Sequence, residues 1–303
     1  MTTTDWSESA FEANRPLLFS IAYRMLGSAS EAEDVVQDAW LRARQDDDAD
    51  VRSPRAYLTT IVTRLCIDHL RSAERTRMVY PGPWLPEPLA EPNQESVALA
   101  SSLTTAFLVM LERLTPTERA VFLLREVFEF DFDEIAKNVG KSETNTRQIL
   151  SRARGRLRDA PARYSVPRRE SEEIVRRFRH ACVTGNMEAL MAVLHDDATL
   201  VADGGGKVAA ATVPVLGAER IAKFILGYAS KLHWEESDFQ LVTINGAPGL
   251  LMRHPLAGNG TYSFDIVDGR IRALYVVRNP DKASALGPCD GAGRAQSLMP
   301  LRS

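Results

Sequence analysis

Apolar residues recur at three- and four-residue intervals through most of the first half of the chain, the spacing of one face of an α-helix. Two such runs, Phe11–Leu26 and Ala32–Ala43, are separated by Gly27-Ser28. A third run opens at Ser53-Pro54 and continues to about Arg75. Its proline falls in the first turn, where the missing N–H costs little. The pattern predicts three helices in this part of the chain.

Closely spaced prolines interrupt this pattern at Tyr80–Asn93, where they exclude a helix and favour a stiff, polyproline-like connection. Helical spacing resumes at about Glu95–Arg113 and again at Thr117–Val127. Thr115 and Glu118 have the spacing of a capping box with a proline between them, which predicts where the second of these helices begins.

The segment Asp133–Arg158 has the pattern of a helix-turn-helix. Gly140 breaks a first helix, and Ser142 is placed to cap a second. The second helix carries a series of arginines with no acid between them: Arg147, Arg152, Arg154, Arg156 and Arg158. In such motifs the second helix enters the major groove, where arginines meet phosphates and base edges. The motif alone does not separate a repressor from an initiation factor.

Beyond a second linker at Asp159–Pro167 the pattern is mixed. Helical spacing predicts helices over Glu170–Thr184, Met187–Leu194 and Ala218–Tyr228. Strand-like segments are Thr199–Val201, Phe239–Ile244, Leu250–Arg253, Tyr262–Ile266 and Ile271–Val277. Asp268-Gly269 between the last two is a hairpin signal. Helices followed by antiparallel strands predict an α+β domain with a curved sheet.

The predicted fold class is therefore multidomain, with two all-α domains followed by an α+β domain. The expected boundaries are 8–78 for the first helical domain, 79–94 for the Pro-rich linker, 95–160 for the helix-turn-helix domain, 168–282 for the α+β domain and 283–303 for a disordered tail.

Composition makes the arginine-rich helix more informative, because the whole chain is not basic. The 303 residues carry a formal net charge of −3, so a bulk polycation is excluded and the positive charge is local. No secretory leader and no apolar run long enough to cross a bilayer is predicted. Cys66, Cys182 and Cys289 have no metal-ligand spacing. We expect reduced cysteines, a cytoplasmic protein, no metal and no cofactor.

Ala32–Leu41, Leu114–Arg119 and Asp133–Arg158 together resemble the extracytoplasmic-function sigma factors, which have only the second and fourth sigma regions. The resemblance implies a protein that binds the clamp and flap of core RNA polymerase and takes it to promoter DNA. Asp34, Gln37 and Asp38 then form the expected polymerase-binding face, whereas a solvated acidic helix face is the alternative.

The resemblance also assigns DNA-contacting side chains. In the stretch leading to the −10 reading helix these are Arg55, Arg64, Arg71 and Arg75, and in the −35 reading helix Arg147, Arg152 and Arg154. Arg147 is expected at the groove and the other two at phosphates. Tyr57 either stacks on a base or packs in the core. No base-reading residue is assigned in the acidic loop Asp46–Arg52, and Thr146 replaces the family's apolar residue, which is expected to loosen packing slightly.

The third domain resembles the SnoaL-like fold, an NTF2-type cone, which one sigma group carries as a C-terminal fusion. Three short signatures support this: Trp84-Leu85-Pro86-Glu87-Pro88, Asp203-Gly204-Gly205-Gly206-Lys207 and Asn279-Pro280-Asp281-Lys282. A phosphate loop at the glycines is rejected because no Ser or Thr follows Lys207. The resemblance implies that these residues join the third domain to the linker and regulate the factor in cis, without a separate anti-sigma protein. A linker with an incidental Trp is the alternative.

Two other functions stay open from sequence. SnoaL-like folds also include enzymes, so the domain could sense or transform a small molecule, although fold alone does not assign function. The groups available for such chemistry are His180, His195, Asp196, Asp203, His233, Trp234 and Tyr262. We expect no catalytic residues and a monomer. An ordinary dimeric helix-turn-helix repressor is the remaining alternative.

Overall fold

In a computed structural model of the chain, helices make up the first half and an α+β domain the second, so the predicted fold class is confirmed. The described residues are 8–45, 53–77, 79–91, 104–158, 166–232, 234, 237–255 and 258–283. The predicted acidic loop 46–52, the start of a helix at Glu95, His233, Cys289 and all of the predicted tail but its first residue lie outside them.

The helices of the first half follow the predicted apolar spacing. They are α1 Glu8–Leu26, α2 Ala29–Gln45, α3 Pro54–Arg77, α4 Thr105–Leu111, α5 Pro116–Glu126, α6 Phe132–Val139 and α7 Glu143–Arg156. The predicted capping box is present, because the Thr115 side chain accepts from the Glu118 N–H and the Glu118 carboxylate accepts from the Thr115 N–H. The start of α5 is therefore set by local sequence.

The two helical segments lie together in one compact unit. Leu18, Leu26 and Leu58 are fully buried in the first segment, and Leu111 and Leu123 in the second. Arg119 on α5 joins them, since its buried guanidinium donates to the Met25 carbonyl at 2.8 Å and to Glu112 at 2.9 Å. We refer to the described residues within 8–80 and 104–158 as the helical unit.

The second compact unit combines the linker with the C-terminal half of the chain. Its helices are α8 Arg168–Val183, α9 Met187–Val193, α10 Ala218–Leu232 and α11 Pro280–Ala283. Its strands are β1 Ala90–Glu91, β2 Leu194–Asp203, β3 Val215–Leu216, β4 Asp238–Ile244, β5 Ala247–His254, β6 Gly258–Val267 and β7 Arg270–Val277. We refer to this unit as the α+β domain.

The strands form one sheet in the order β1-β4-β5-β6-β7-β2-β3. The β6–β7 turn is the predicted hairpin, with positive φ angles of 49° at Asp268 and 73° at Gly269. One face of the sheet packs against α8 and α10, and Phe178 of α8 contacts Phe264 of β6 with ring centroids 5.1 Å apart. This packing buries the main core of the domain.

Three features of the domain differ from the prediction. Strand β2 begins at Leu194 instead of Thr199, with a register irregularity between those residues that hides the alternation, and it pairs in parallel with β7. The linker ends in a strand, β1, which pairs with β4 through Ala90 and Ile244. Ala283, placed in the predicted tail, is buried in α11 instead.

Candidate nucleic-acid interface and linker-docking site

The helix-turn-helix is formed by α6 and α7, with the predicted signals at the turn. Gly140 ends α6 in the left-handed region at φ 64°, which glycine adopts without steric cost. The Ser142 side chain then caps α7 by accepting from the Asn145 N–H at 3.3 Å. Thr146 is fully buried, and its hydroxyl donates to the Ser142 carbonyl at 2.9 Å, so this polar atom is satisfied inside the helix.

The arginines of α7 lie on its exposed side, while Ile149, Leu150 and Ala153 are buried. Arg154 pairs with Glu126 at 2.6 Å and Arg156 with Glu118 at 3.1 Å. Arg152 is exposed.

Arg147, in the second turn of α7, lies over the ring of Phe132 on α6. Its Cζ is 4.0 Å from the ring centroid, and Arg125 of α5 lies 5.0 Å from the same centroid. A guanidinium and a ring at these distances form a cation–π contact. Arg147 also pairs loosely with Glu143 at 3.4 Å, and 58% of its side chain is exposed.

The predicted polymerase-binding residues share one exposed face of α2. Asp34, Gln37 and Asp38 are exposed, whereas Val35, Val36 and Ala39 are buried on the opposite face. Trp40 closes the buried face against Phe11, with ring centroids 4.7 Å apart. The face therefore offers carboxylates and an amide to a partner.

The predicted −10 arginines on α3 are partly engaged within the helical unit. Arg64 donates to the carbonyls of Asn138 at 3.2 Å and Lys137 at 2.9 Å, at the carboxyl end of α6. Arg55 lies over the ring of Phe130, with its Cζ 5.1 Å from the centroid. Arg71 is exposed and lies 3.6 Å from Asp68 on its own helix. The side chain of Arg75 lies outside the described residues.

The signature residues of the α+β domain meet at the Asp203 carboxylate, which is fully buried. One oxygen, Oδ2, accepts from the Leu85 N–H of the linker at 3.0 Å and from Lys282 Nζ at 2.7 Å. The other, Oδ1, accepts from the Gly205 N–H at 2.9 Å. A buried carboxylate needs such partners, because an unpaired one would be strongly unfavourable.

Lys282 supplies the positive charge at this position. Besides Asp203, its ammonium donates to the Leu85 carbonyl at 2.5 Å and lies 4.1 Å from the centroid of the Trp84 ring. Only 11% of the side chain is exposed. Linker backbone, linker indole and a domain carboxylate thus surround one cation, and we call this cluster the linker latch.

All three glycines of the Gly204–Gly206 run are required by close approach, and a Cβ on Gly204 would lie 2.4 Å from the Val208 carbonyl oxygen. A Cβ on Gly205 would lie 2.4 Å from Asn279 Cγ, and one on Gly206 would lie 2.5 Å from Pro81 Cγ. Gly205 and Gly206 also have positive φ, at 61° and 69°. The neighbouring Lys207 pairs with Asp281 at 2.6 Å on the surface, so all three signatures contribute to one site.

Glu87, Pro86 and Pro88 are buried along the docked linker. Past them, Asn245 holds Leu89 by two bonds: its Oδ1 accepts from the Leu89 N–H at 3.1 Å and its N–H donates to the Leu89 carbonyl at 3.0 Å. Sequence reasoning missed Asn245. The Asn245-Gly246 pair is itself a hairpin signal, which marks the turn but not its contact with the linker.

The α+β domain contains a small, partly open apolar cavity lined by Tyr228, Trp234, Tyr262 and Phe224, among others. Its free volume of about 30 Å³ has room for about two water molecules. Burial raises the pKa of the Tyr262 phenol, so this group stays protonated. Among the other groups considered for chemistry, His195 Nδ1 accepts from the Asp197 N–H at 3.2 Å.

Within the described part of the chain, every helix is too short or too polar to cross a bilayer.

Comparison with known proteins agrees with both halves of this description. Residues 10–76 match the family model of Sigma-70 region 2, and residues 104–157 match that of Sigma-70, region 4. The ECF RNA polymerase sigma factor SigJ of Mycobacterium tuberculosis is 38% identical over 292 residues, which cover 90% of this chain and 92% of that protein. The probable ECF RNA polymerase sigma factor SigI of the same species is 31% identical, over 97% of this chain and 100% of that protein.

Among solved structures, the crystal structure of M. tuberculosis extracytoplasmic function sigma factor SigJ superposes with a TM-score of 0.76 at 33% identity. The match covers 92% of this chain and 98% of that one. The likeness therefore includes the α+β domain as well as the two sigma regions. The chain belongs to the extracytoplasmic-function (ECF) RNA polymerase sigma factors.

Proposed function

We propose that this sigma factor binds core RNA polymerase, directs it to promoters by reading the −10 and −35 elements, and is regulated in cis by its α+β domain. The observation that carries the first part is the coexistence of an exposed arginine helix, α7, with an exposed acidic face on α2. A repressor needs only the former. We propose that this sigma factor acts in the cytoplasm, together with the polymerase.

We extend the individual roles from the family resemblance. Asp34, Gln37 and Asp38 contact the polymerase clamp, and the helix-turn-helix docks near the flap. Arg147 meets base edges of the −35 element, and Arg152 and Arg154 meet phosphates. Arg55, Arg64, Arg71 and Arg75 contact the −10 region. Apart from Arg75, whose side chain lies outside the described residues, these side chains are exposed, which supports the roles.

Simultaneous reading of both elements requires the helical unit to open. The elements lie about 25 base pairs apart, or about 85 Å along B-form DNA. A compact unit of about 150 residues has a radius of gyration of only about 15 Å. The contacts of Arg64 with α6 and of Arg55 with Phe130 must therefore be released when both elements are bound.

The α+β domain regulates by holding the linker that connects the two sigma regions. The linker latch fixes 81–91 against the domain, with a buried ion pair at its centre. Because residues 81–91 are held on the α+β domain, the linker is restricted in how far it can extend between the two sigma regions when the helical unit opens. Such a restraint is covalently attached, so we propose that no separate anti-sigma factor is needed and that the free protein is monomeric.

We also propose that the α+β domain is not an enzyme. Sites for small-molecule ligands usually have volumes of about 300–1,000 Å³. The cavity of about 30 Å³ is far smaller, with Tyr228, Trp234 and Tyr262 among its lining side chains. This observation favours a regulatory domain over the sensor or enzyme kept as an alternative from the sequence.

The test of the proposed function is co-purification with core polymerase followed by run-off transcription from a promoter library. The parent chain should bind core polymerase and initiate at a defined subset of promoters. Asp38→Lys should weaken core binding by about tenfold or more, because it reverses charge at the proposed contact. Glu12→Lys, an exposed charge reversal on α1, is the matched control.

A chain that binds duplex DNA specifically but neither retains core polymerase nor supports initiation would instead be a repressor. Equal core binding by Asp38→Lys and Glu12→Lys would exclude the α2 face as the contact.

A further inference from the structure

The Phe132 ring is the centre of a cluster that none of the roles above requires. It lies at the first position of α6, partly buried, with two guanidiniums within cation–π distance. Arg147 is the nearer, at 4.0 Å from the ring centroid, and Arg125 lies at 5.0 Å. The cluster links the DNA-reading helix to the helix that precedes it.

The position of the ring is set independently of Arg147. At the start of α6 the Asp131 N–H donates to the Glu134 carboxylate at 3.4 Å, which restrains the backbone on both sides of Phe132. Arg125 is anchored in turn, since it donates to the Phe130 carbonyl at 2.8 Å and lies 3.4 Å from Asp131. The ring is therefore a preformed surface on which Arg147 rests.

A preformed surface of this kind matters because an exposed arginine loses side-chain conformational entropy when it binds DNA. A free Arg side chain has a large rotamer entropy, and fixing it on a base edge costs part of the binding free energy. Stacking uses the face of the guanidinium and leaves its N–H edge available for paired bonds to a base. The contact with Glu143, at 3.4 Å, is too long to provide this restraint alone.

We propose that Phe132 is a positioning residue for −35 recognition: its ring holds the guanidinium of Arg147 in the orientation that reads a base edge. The inference rests on the proposed role of Arg147. Phe132 itself need not touch DNA, and its effect is confined to the base pair that Arg147 reads.

The experiment uses the full-length chain with core polymerase and a promoter library with a randomised −35 region, sequenced from the transcripts. Phe132→Leu keeps apolar bulk but removes the π face, and Phe132→Tyr retains it. We expect Phe132→Leu to lower discrimination at a single −35 position by about two- to five-fold, the range of an exposed cation–π contact. Phe132→Tyr should keep the parent preference.

Arg147→Gln should abolish the preference at the same position, and Phe132→Leu should then add no further loss in the Arg147→Gln background. Preferences are ratios within one variant, so a smaller folded fraction does not change them. Phe132→Met serves as a second variant if Phe132→Leu fails to fold.

Three outcomes would overturn the inference. Unchanged or sharper discrimination in Phe132→Leu, with a clear loss in Arg147→Gln, would leave the role of Arg147 intact and show that the ring does not position it. A loss that persists in the Arg147→Gln background would assign Phe132 a general structural role. No effect of Arg147→Gln would remove the proposed role of Arg147 itself.

Discussion

At the scale of single residues, the linker is held largely through Asp203. Its carboxylate is fully buried and accepts from the Leu85 N–H, the Gly205 N–H and the Lys282 ammonium. A buried ion pair of this kind is weak evidence for net stabilisation over an apolar core, because both charges lose their hydration. Removing one partner of the pair is nevertheless strongly destabilising, since the remaining charge is left buried and unpaired.

Asp203→Asn should therefore destabilise the α+β domain by about 3 kcal/mol, measured by denaturant unfolding of the full-length chain. The substitution preserves shape and leaves the Lys282 ammonium without its counter-charge. Asp281→Asn is the matched control, because Asp281 pairs with Lys207 on the surface with 64% of its side chain exposed. The control should cost less than about 1 kcal/mol. Equal effects of the two variants would contradict a buried, charge-dependent latch.

Residue-level signals predicted the helix-turn-helix well and the linker latch only in part. Gly140 and Ser142 act locally, so their roles can be read from sequence. Asp203 and Lys282 were identified through signatures of the resembled family, but their contact joins residues far apart in the chain. Asn245 was missed for the same reason, since its bonds to Leu89 depend on tertiary structure.

At the scale of elements, periodicity predicted most of the helices within a few residues, because each depends on its own apolar face. The helix predicted at Glu95–Arg113 is an exception, since Thr104 is an extended N-cap and α4 begins at Thr105. Strand β2 was predicted too short, since its first half has an irregular register and two exposed aspartates. Its parallel pairing with β7 depends on non-local packing. The prolines correctly excluded a helix in the linker. They did not indicate β1, because only the last residues of the linker, Ala90 and Glu91, pair with β4.

Lys282→Met should loosen the linker as an element. Loss of the ammonium removes the bonds to Asp203 and the Leu85 carbonyl, so amide hydrogen exchange over 85–91 should accelerate by about tenfold or more. Mass spectrometry of peptides from this segment measures the change. Lys223→Met makes the same substitution at an exposed lysine paired with Glu219 in the same domain, and should leave the segment at the parent rate. Parent-rate exchange in Lys282→Met would mean that apolar burial alone holds the linker.

At the scale of the whole molecule, two sets of contacts restrain the two sigma regions before promoter recognition. Contacts of Arg55 and Arg64 keep the two sigma regions together in the helical unit, and the linker latch holds the connection between them on the α+β domain. Promoter recognition requires the first restraint to be released, because the two elements are too far apart for a compact unit. The linker latch then limits how far the linker can extend between the two sigma regions when the helical unit opens.

The central claim is that docking of the linker regulates initiation. Run-off transcription with purified core polymerase tests it, with the parent chain, Lys282→Met, Lys223→Met and a chain ending at residue 165 compared on one promoter selected from the library. The account predicts that Lys282→Met and the truncated chain depart from the parent output in the same direction, while Lys223→Met matches the parent. Equal output from the parent, Lys282→Met and the truncated chain would contradict regulation by the α+β domain.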